Sequence, residues 1–310
     1  MATGIAIWQT VKIFSSGSPS SVKEKKNGEA VVGRKKRFQL YTNPMCPFAQ
    51  RVWIMISELE AMEMVAFTPI PLKPDLLRAK YLAQLPSWAH AVGVENAEGL
   101  QHLKDWYMAH INKAGEVPSV IDDCSSNTST VFKESDIVAE YLYLVLHNHE
   151  REVKIELFPS SSYFPEEVVR FRFAFKTFPI SAFYTCLRNQ DPQKDEDLFK
   201  SLRTGLASFI SHMSDDGPYY LGHRFSFADI AFAPFLVRFS ELLPHYRGFD
   251  VFEPCEEYDS RRFKVWFHAV TRRPSVRRTS PQRHEILQFY EVEANDGRIN
   301  ENGFGGRGRS

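Results

Sequence analysis

The chain has 310 residues, enough for two domains of ordinary size. Its 43% apolar and 25% charged residues place it among water-soluble globular chains. Thirty-eight basic residues balance thirty-eight acidic ones, so no overall charge favours nucleic acid or an anionic membrane as partner.

The four cysteines, Cys46, Cys124, Cys186 and Cys255, are widely and irregularly spaced. They form no CxxC pair and no zinc-like cluster with histidine, so no metal is expected. Free thiols suit a reducing compartment. No apolar run reaches the length of about 20 residues that a membrane span needs.

Residues 1–36 read as a tail rather than a domain. "SSGSPSSVKEKKNGEAVVGRKK" is small, polar and basic without periodicity. The first 21 residues lack acidic side chains, as targeting peptides do, but no arginine occurs before Arg34. A cytoplasmic protein is the expectation, with a mitochondrial or other organelle destination as the alternative. "RFQLYT" ending in Asn-Pro predicts a strand, and "FAQRVWIMISELEAM" after Pro47 predicts a helix. "MVAFTPIPL" predicts a second strand. "EVPSVID" and "STVFKES" predict a hairpin around "DDCSSNT", followed by a helix with Ile137, Val138, Tyr141, Leu142 and Val145 on one face. This order describes an α/β layer ending near residue 150. From about Phe164 onward the chain reads as amphipathic or wholly apolar helices, to residue 292. Residues 293–310, rich in Gly, Asn and Arg, read as a second tail.

Cys46 stands directly before Pro47, which suits a first helical position. A cysteine at that N-cap faces free N–H groups and the positive end of the helix dipole, which favours thiolate and a lowered pKa. Three residues on stands Ala49 rather than a second cysteine. Such a thiol forms a mixed disulfide with a small thiol, and a second small thiol must reduce it. The alternative is a cysteine that caps the helix without reactivity. Further on, "FSFAD" contains a capping box, Ser226 at the N-cap with Asp229 three residues later, flanked by Phe225 and Ile230 as a hydrophobic staple. That pair is structural.

"YTNPMCPFAQRVW" resembles the active-site segment of omega-class glutathione transferases, the branch with cysteine in place of serine or tyrosine. "PLKPDLL", "EVPSVIDD", "KESDIVAEYL", "KTFPISAF", "GPYYLGHRFSFADIAFAPFLVRFSEL" and "FKVWFHAVTRRPSV" resemble later segments of that family in the same order. The resemblance spans about Arg37 to Glu291 and implies an α+β thioredoxin-like N-terminal domain (37–150) followed by an all-α C-terminal domain (151–292), the glutathione transferase fold.

The resemblance further implies glutathione, or a related small thiol, as co-substrate, with a small or protein disulfide as substrate and a homodimer as the family's usual state. Cys46 becomes the nucleophile. Glu134 and Ser135 match the pair that holds the γ-glutamyl end, a carboxylate for its ammonium and a hydroxyl for its carboxylate. The bland reading is that this segment only caps a helix. Val117 pairs its backbone with the cysteinyl part, Pro118 is cis as in this fold generally, and Lys73 reaches the glycyl carboxylate. Phe48, Phe175 and Trp266 are candidates for the acceptor site between the domains. Phe171, Phe178 and Tyr184 are weighed too, with core packing favoured for most of this aromatic set.

One stretch departs from the family pattern. About 35 residues, near 80–115, separate the second helix from "EVPSV", and they carry Trp88, Trp106 and Tyr107. An insertion there covers the thiol site, extends it for another thiol, or blocks the dimer face.

The reading that fits these residues is a glutathione-dependent thiol transferase acting on glutathionyl mixed disulfides, with dehydroascorbate as a further candidate substrate. A non-catalytic interaction module is the alternative, although a scaffold needs neither Cys46 nor the Glu134–Ser135 pair. A soluble chloride-channel-like protein also carries a Cys-Pro-Phe motif, but that glutamate–serine pair disfavours it.

Overall fold

The computed structural model describes residues 36–123, 130–147, 155–160 and 165–295. Strand β1 (Phe38–Thr42) runs parallel to β2 (Val65–Pro69) and antiparallel to β3 (Ser119–Asp122). β3 pairs antiparallel with β4 (Val131–Lys133), giving the order β2-β1-β3-β4. Parallel neighbours need a crossover, and α1 (Pro47–Glu58) supplies it. Alternation along β1 sends Phe38 and Leu40 into the main core and Tyr41 toward the opposite face. The β3–β4 hairpin matches the expectation, while its loop and Cys124 lie outside the described residues.

Helix α4 (Ser135–His147) packs against α1 and buries Val138, Ala139, Leu142 and Leu146. Ile137, expected on that buried face, is instead 53% exposed. The reason is geometric: α4 buries only the narrow stripe that meets α1 and the sheet, and Ile137 lies one position off it.

The long stretch before β3 is folded. Helix α2 (Lys73–Leu82) leads to α3 (Ala97–His110), whose N-cap Asn96 accepts a hydrogen bond from the Gly99 N–H at 2.8 Å. Trp88, Ala89, Val92, Val94 and Leu100 pack with Ala79 of α2 in a small core of their own. Tyr107, fully buried, reaches Tyr41, Ile70 and Ala49. Trp106 is 44% exposed, so two of the three aromatic residues expected to pack do so.

The helical part comprises α5 (Pro165–Thr177), α6 (Ile180–Arg188), α7 (Asp195–Ile210), α8 (Phe227–Arg247), α9 (Ser260–Thr271), α10 (Pro274–Thr279) and α11 (Arg283–Ala294). Pro179 interrupts α5 and α6, since proline cannot continue a helix from the preceding turn. α8 is apolar nearly all round and therefore central, touching α1, α6, α9 and α11. Its capping box is formed as the spacing predicts. Asp229 accepts from the Ser226 N–H (2.9 Å) and hydroxyl (3.0 Å), and also from the Tyr220 N–H (2.8 Å) and Trp266 Nε1 (2.7 Å). Phe225 and Ile230 are both buried beside it. Apart from residues 155–160, the segment joining the two parts lies outside the described residues, as do the boundary near residue 150 and most of both tails.

Candidate active site

Cys46 is the N-cap of α1, with extended backbone and Pro47 in the first turn. The loop that carries it is pinned by Asn43. Asn43 Oδ1 accepts the Met45 N–H at 2.8 Å, while its amide donates to the Ile70 carbonyl (2.9 Å) and to Asp75 Oδ2 (3.0 Å). Asp75 is buried and also accepts the Leu72 N–H, capping α2. Burial pushes the Asp75 carboxyl up to about 6, despite these hydrogen bonds and the charges of Lys104 and Arg78.

The thiol itself is 8% exposed, and Sγ donates to the Val117 carbonyl at 3.6 Å. Burial pushes its pKa up. The Ala49 and Phe48 N–H groups, and then the charges of Arg238 and Arg51, act in the opposite direction. The lowered pKa expected from the helix terminus alone is therefore corrected. The terminus is present, but desolvation of the thiolate outweighs it.

A cavity of about 260 Å³ opens at the sulfur. Cys46 and Phe48 line it from α1, Val117 and Pro118 from the lead into β3, and Glu134 and Ser135 from the start of α4. Leu72, Asn112 and Glu116 complete the wall, the last two from the end of the inserted stretch. The Val117–Pro118 bond is cis. Glu134 holds φ at 65°, a left-handed conformation that costs a non-glycine residue on the order of 1 kcal/mol and recurs at ligand clamps. Gly115 has φ 70°, and a Cβ there would meet the Lys104 side chain at 3.0 Å. Glycine is thus required where the inserted stretch turns into the cavity wall.

The Ser135 hydroxyl is buried. It accepts from Arg51 Nη1 (3.0 Å) and donates to Asp136 (3.1 Å). Arg51 is paired with Asp136 at 3.0 Å, donates to the Ala231 carbonyl, and lies over the rings of Phe48 and Phe235. Burial lowers its pKa to about 10. Arg238 of α8 is fully buried and donates to the Met45 carbonyl at 2.8 Å and to Gln50 Oε1 at 2.9 Å.

The structure brings Cys46, Phe48, Val117, Pro118, Glu134 and Ser135 to one cavity. It does not bring Lys73, Phe175 or Trp266 there. Lys73 opens α2 and is exposed, and its neighbour Leu72 faces the cavity instead. The nearer lysine is Lys104 of α3, half-buried, donating to the Gly115 carbonyl at 2.5 Å. Phe175 stacks among Phe171, Phe227 and Phe232, and Trp266 is fully buried with its indole N–H on Asp229. Both belong to the core of the helical part, because an aromatic stripe on a central helix packs before it lines anything. Phe178 is likewise core.

Arg238, Tyr290, Asp75 and Asn112 escape the sequence reading, and Tyr107 entered it only as a packing aromatic of the inserted stretch. Arg238 alone left a signal: "PFLVRFSEL" puts a cation on an otherwise apolar helix face, the pattern of a buried charge. Among the described residues, no cluster of His, Cys, Asp and Glu is suited to a metal, and no helix is long and apolar enough to cross a membrane.

Comparison with known proteins gives matches at both levels. The family "Glutathione S-transferase, C-terminal domain" matches residues 177–279. Glutathione S-transferase L3 of Arabidopsis thaliana is 21% identical over 256 residues, covering 82% of this chain and 86% of its own. A probable glutathione S-transferase, DHAR1 (cytosolic), of Oryza sativa subsp. japonica is 26% identical over 115 residues, 37% of this chain and 51% of its own. The crystal structure of glutathione transferase Omega 3C from Trametes versicolor superposes with a TM-score of 0.57 at 20% identity, over 84% of this chain and 94% of that one. The sheet followed by an all-helical unit is thus the arrangement of that fold.

Proposed function

We propose that this chain, a divergent glutathione transferase related to the lambda, DHAR and omega classes, is a glutathione-dependent thiol transferase. The observation that carries the reading is a single thiol at a helix N-terminus, opening on a cavity whose other wall is Glu134 and Ser135.

In this reading the Cys46 thiol loses its proton to solvent, and the thiolate attacks the glutathionyl sulfur of a mixed disulfide. The substrate S–S bond breaks and the departing thiolate takes up a proton. A second glutathione thiolate then attacks the Cys46-bound glutathionyl sulfur, releasing oxidised glutathione and regenerating Cys46. Atoms and electrons balance: one mixed disulfide and one glutathione become one free thiol and one glutathione disulfide. Dehydroascorbate is a second candidate oxidant. Ser135 and the start of α4 hold the γ-glutamyl carboxylate, Glu134 its ammonium, and the backbone at Val117 the cysteinyl part. Phe48, edge-on to Phe235 at 5.1 Å, forms the apolar wall for the acceptor. Free cysteines at 46, 186 and 255 suit a reducing compartment, which we take to be the cytosol.

A specific observation favours a second reading. A thiol that is nearly covered, hydrogen-bonded to a carbonyl and raised in pKa is what a non-catalytic interaction module would carry. Intact mass after brief exposure to oxidised glutathione, then to reduced glutathione, separates the two. Reversible addition of one glutathionyl group, absent in Cys46→Ala, supports the transferase. A folded wild type that takes up none overturns it.

A further inference from the structure

Arg238 is fully buried in the middle of α8, and every group it donates to is neutral. Nε donates to the Tyr290 hydroxyl (3.1 Å), Nη1 to Gln50 Oε1 (2.9 Å) and the Pro234 carbonyl (2.8 Å), and Nη2 to the Met45 carbonyl (2.8 Å). A guanidinium removed from water is ordinarily kept there by an anion. Arg51, the other buried arginine of the site, has one in Asp136. Arg238 has no carboxylate within ion-pair distance among the described residues. Neutral acceptors solvate its charge without cancelling it. The peptide it grips belongs to the residue before Cys46, and Gln50 lies one turn beyond.

We propose that Arg238 is a positioning residue whose uncancelled charge is the counter-ion reserved for the Cys46 thiolate. The inference rests on the thiol-transferase reading, in which that anion forms only when reaction begins. Before then the cation is held by four neutral acceptors that also fix the loop it serves. The domains are thereby coupled: the helical part completes the chemistry of a thiol carried by the sheet part.

Other groups around the sulfur do not fill this role. From α1 come the Phe48 and Ala49 N–H groups and Arg51, already paired. From α3 come Lys104, whose ammonium donates to the Gly115 carbonyl and is shared between the fields of Asp75, Cys46 and Glu116, and Tyr107. From α6 and α11 come Tyr184 and Tyr290, which burial keeps protonated well above neutral pH. Glu116 and Glu134 stand at the cavity wall with the wrong sign.

The test is the pH dependence of Cys46 alkylation by iodoacetamide, read by peptide mass, in wild type, Arg238→Gln and Arg238→Lys. Removing a nearby opposite charge raises a pKa by about one unit or more. The Gln variant is therefore expected to have its midpoint about one pH unit or more higher. The Lys variant, with the charge but fewer donors, is expected to stay near wild type. A folded Gln variant with an unmoved midpoint overturns the proposal. If the Gln variant does not fold, the Lys variant decides: a wild-type midpoint supports the charge role, and a raised one shows that only the hydrogen bonds matter. Iodoacetamide needs no glutathione site. A wild type that is not glutathionylated therefore fails the thiol-transferase reading without touching this result.

Discussion

Asn43 and Asp75 are joined by a buried hydrogen bond of 3.0 Å, and through it the first turn of α2 holds the loop that presents Cys46. The same carboxylate oxygen accepts the Leu72 N–H, so one group caps a helix and braces the active-site loop.

That carboxyl titrates near 6, above its unfolded value of about 3.9. A raised carboxyl binds its proton more tightly in the folded state, so stability falls as pH rises from about 4 to about 6 and is level beyond. The difference amounts to about 3 kcal/mol at most. Asp75→Asn keeps an oxygen for Leu72 and Asn43 but cannot titrate. Urea unfolding between pH 4.5 and 8 is expected to show wild type losing stability relative to the variant. Parallel curves would remove Asp75 as the source.

Asp229 receives four hydrogen bonds with no water contact. Asp229→Ala leaves those donors buried and unmet, and is expected to cost about 3–5 kcal/mol in denaturant unfolding. Ser226→Ala, which removes one cap, is expected to cost about 1 kcal/mol.

Glutathione affinity distinguishes the cavity wall from its surroundings. Ser135→Ala is expected to weaken binding about tenfold by titration calorimetry, the worth of one charge-assisted hydrogen bond. Lys73→Ala, at an exposed position outside the cavity, is expected to change it less than twofold. Equal losses would return Lys73 to the site.

Tyr107 tests whether the inserted stretch is a working wall. Its hydroxyl donates to the Glu116 carbonyl at 2.5 Å and bonds the Ser119 hydroxyl at 2.8 Å, and its ring packs beside Cys46. Tyr107→Ala is expected to cost about 3–5 kcal/mol and to speed alkylation of Cys46 at fixed pH. Trp106→Ala, at a 44% exposed ring, is expected to stay within about 1 kcal/mol of wild type with unchanged alkylation. Identical alkylation rates in both variants would place the wall elsewhere.

Local chemistry alone makes much of this legible in the sequence. Asn-Pro ending an aromatic strand, proline opening α1, the "FSFAD" box and the proline break before α6 each depend on neighbours within four residues. All of them stand as expected. Cys46 could be named from its own local motif, whereas Phe48, Val117, Pro118, Glu134 and Ser135, which line the same cavity, were legible only through the family resemblance.

Quantities that sum over distant residues came from the packed fold instead. Burial of the Cys46 thiol comes from walls built at Val117 and Tyr107, and it reverses the pKa direction that the helix terminus alone implies. Lys73 and Leu72 are adjacent in sequence, yet the rotation of α2 turns one outward and the other to the cavity. Arg238 lies 188 residues from the Gln50 it binds, and no local pattern carries that pairing. Local sequence settles which elements form and where the thiol stands. Desolvation and charge depend on everything packed around a group, so the state of that thiol was decided by the fold.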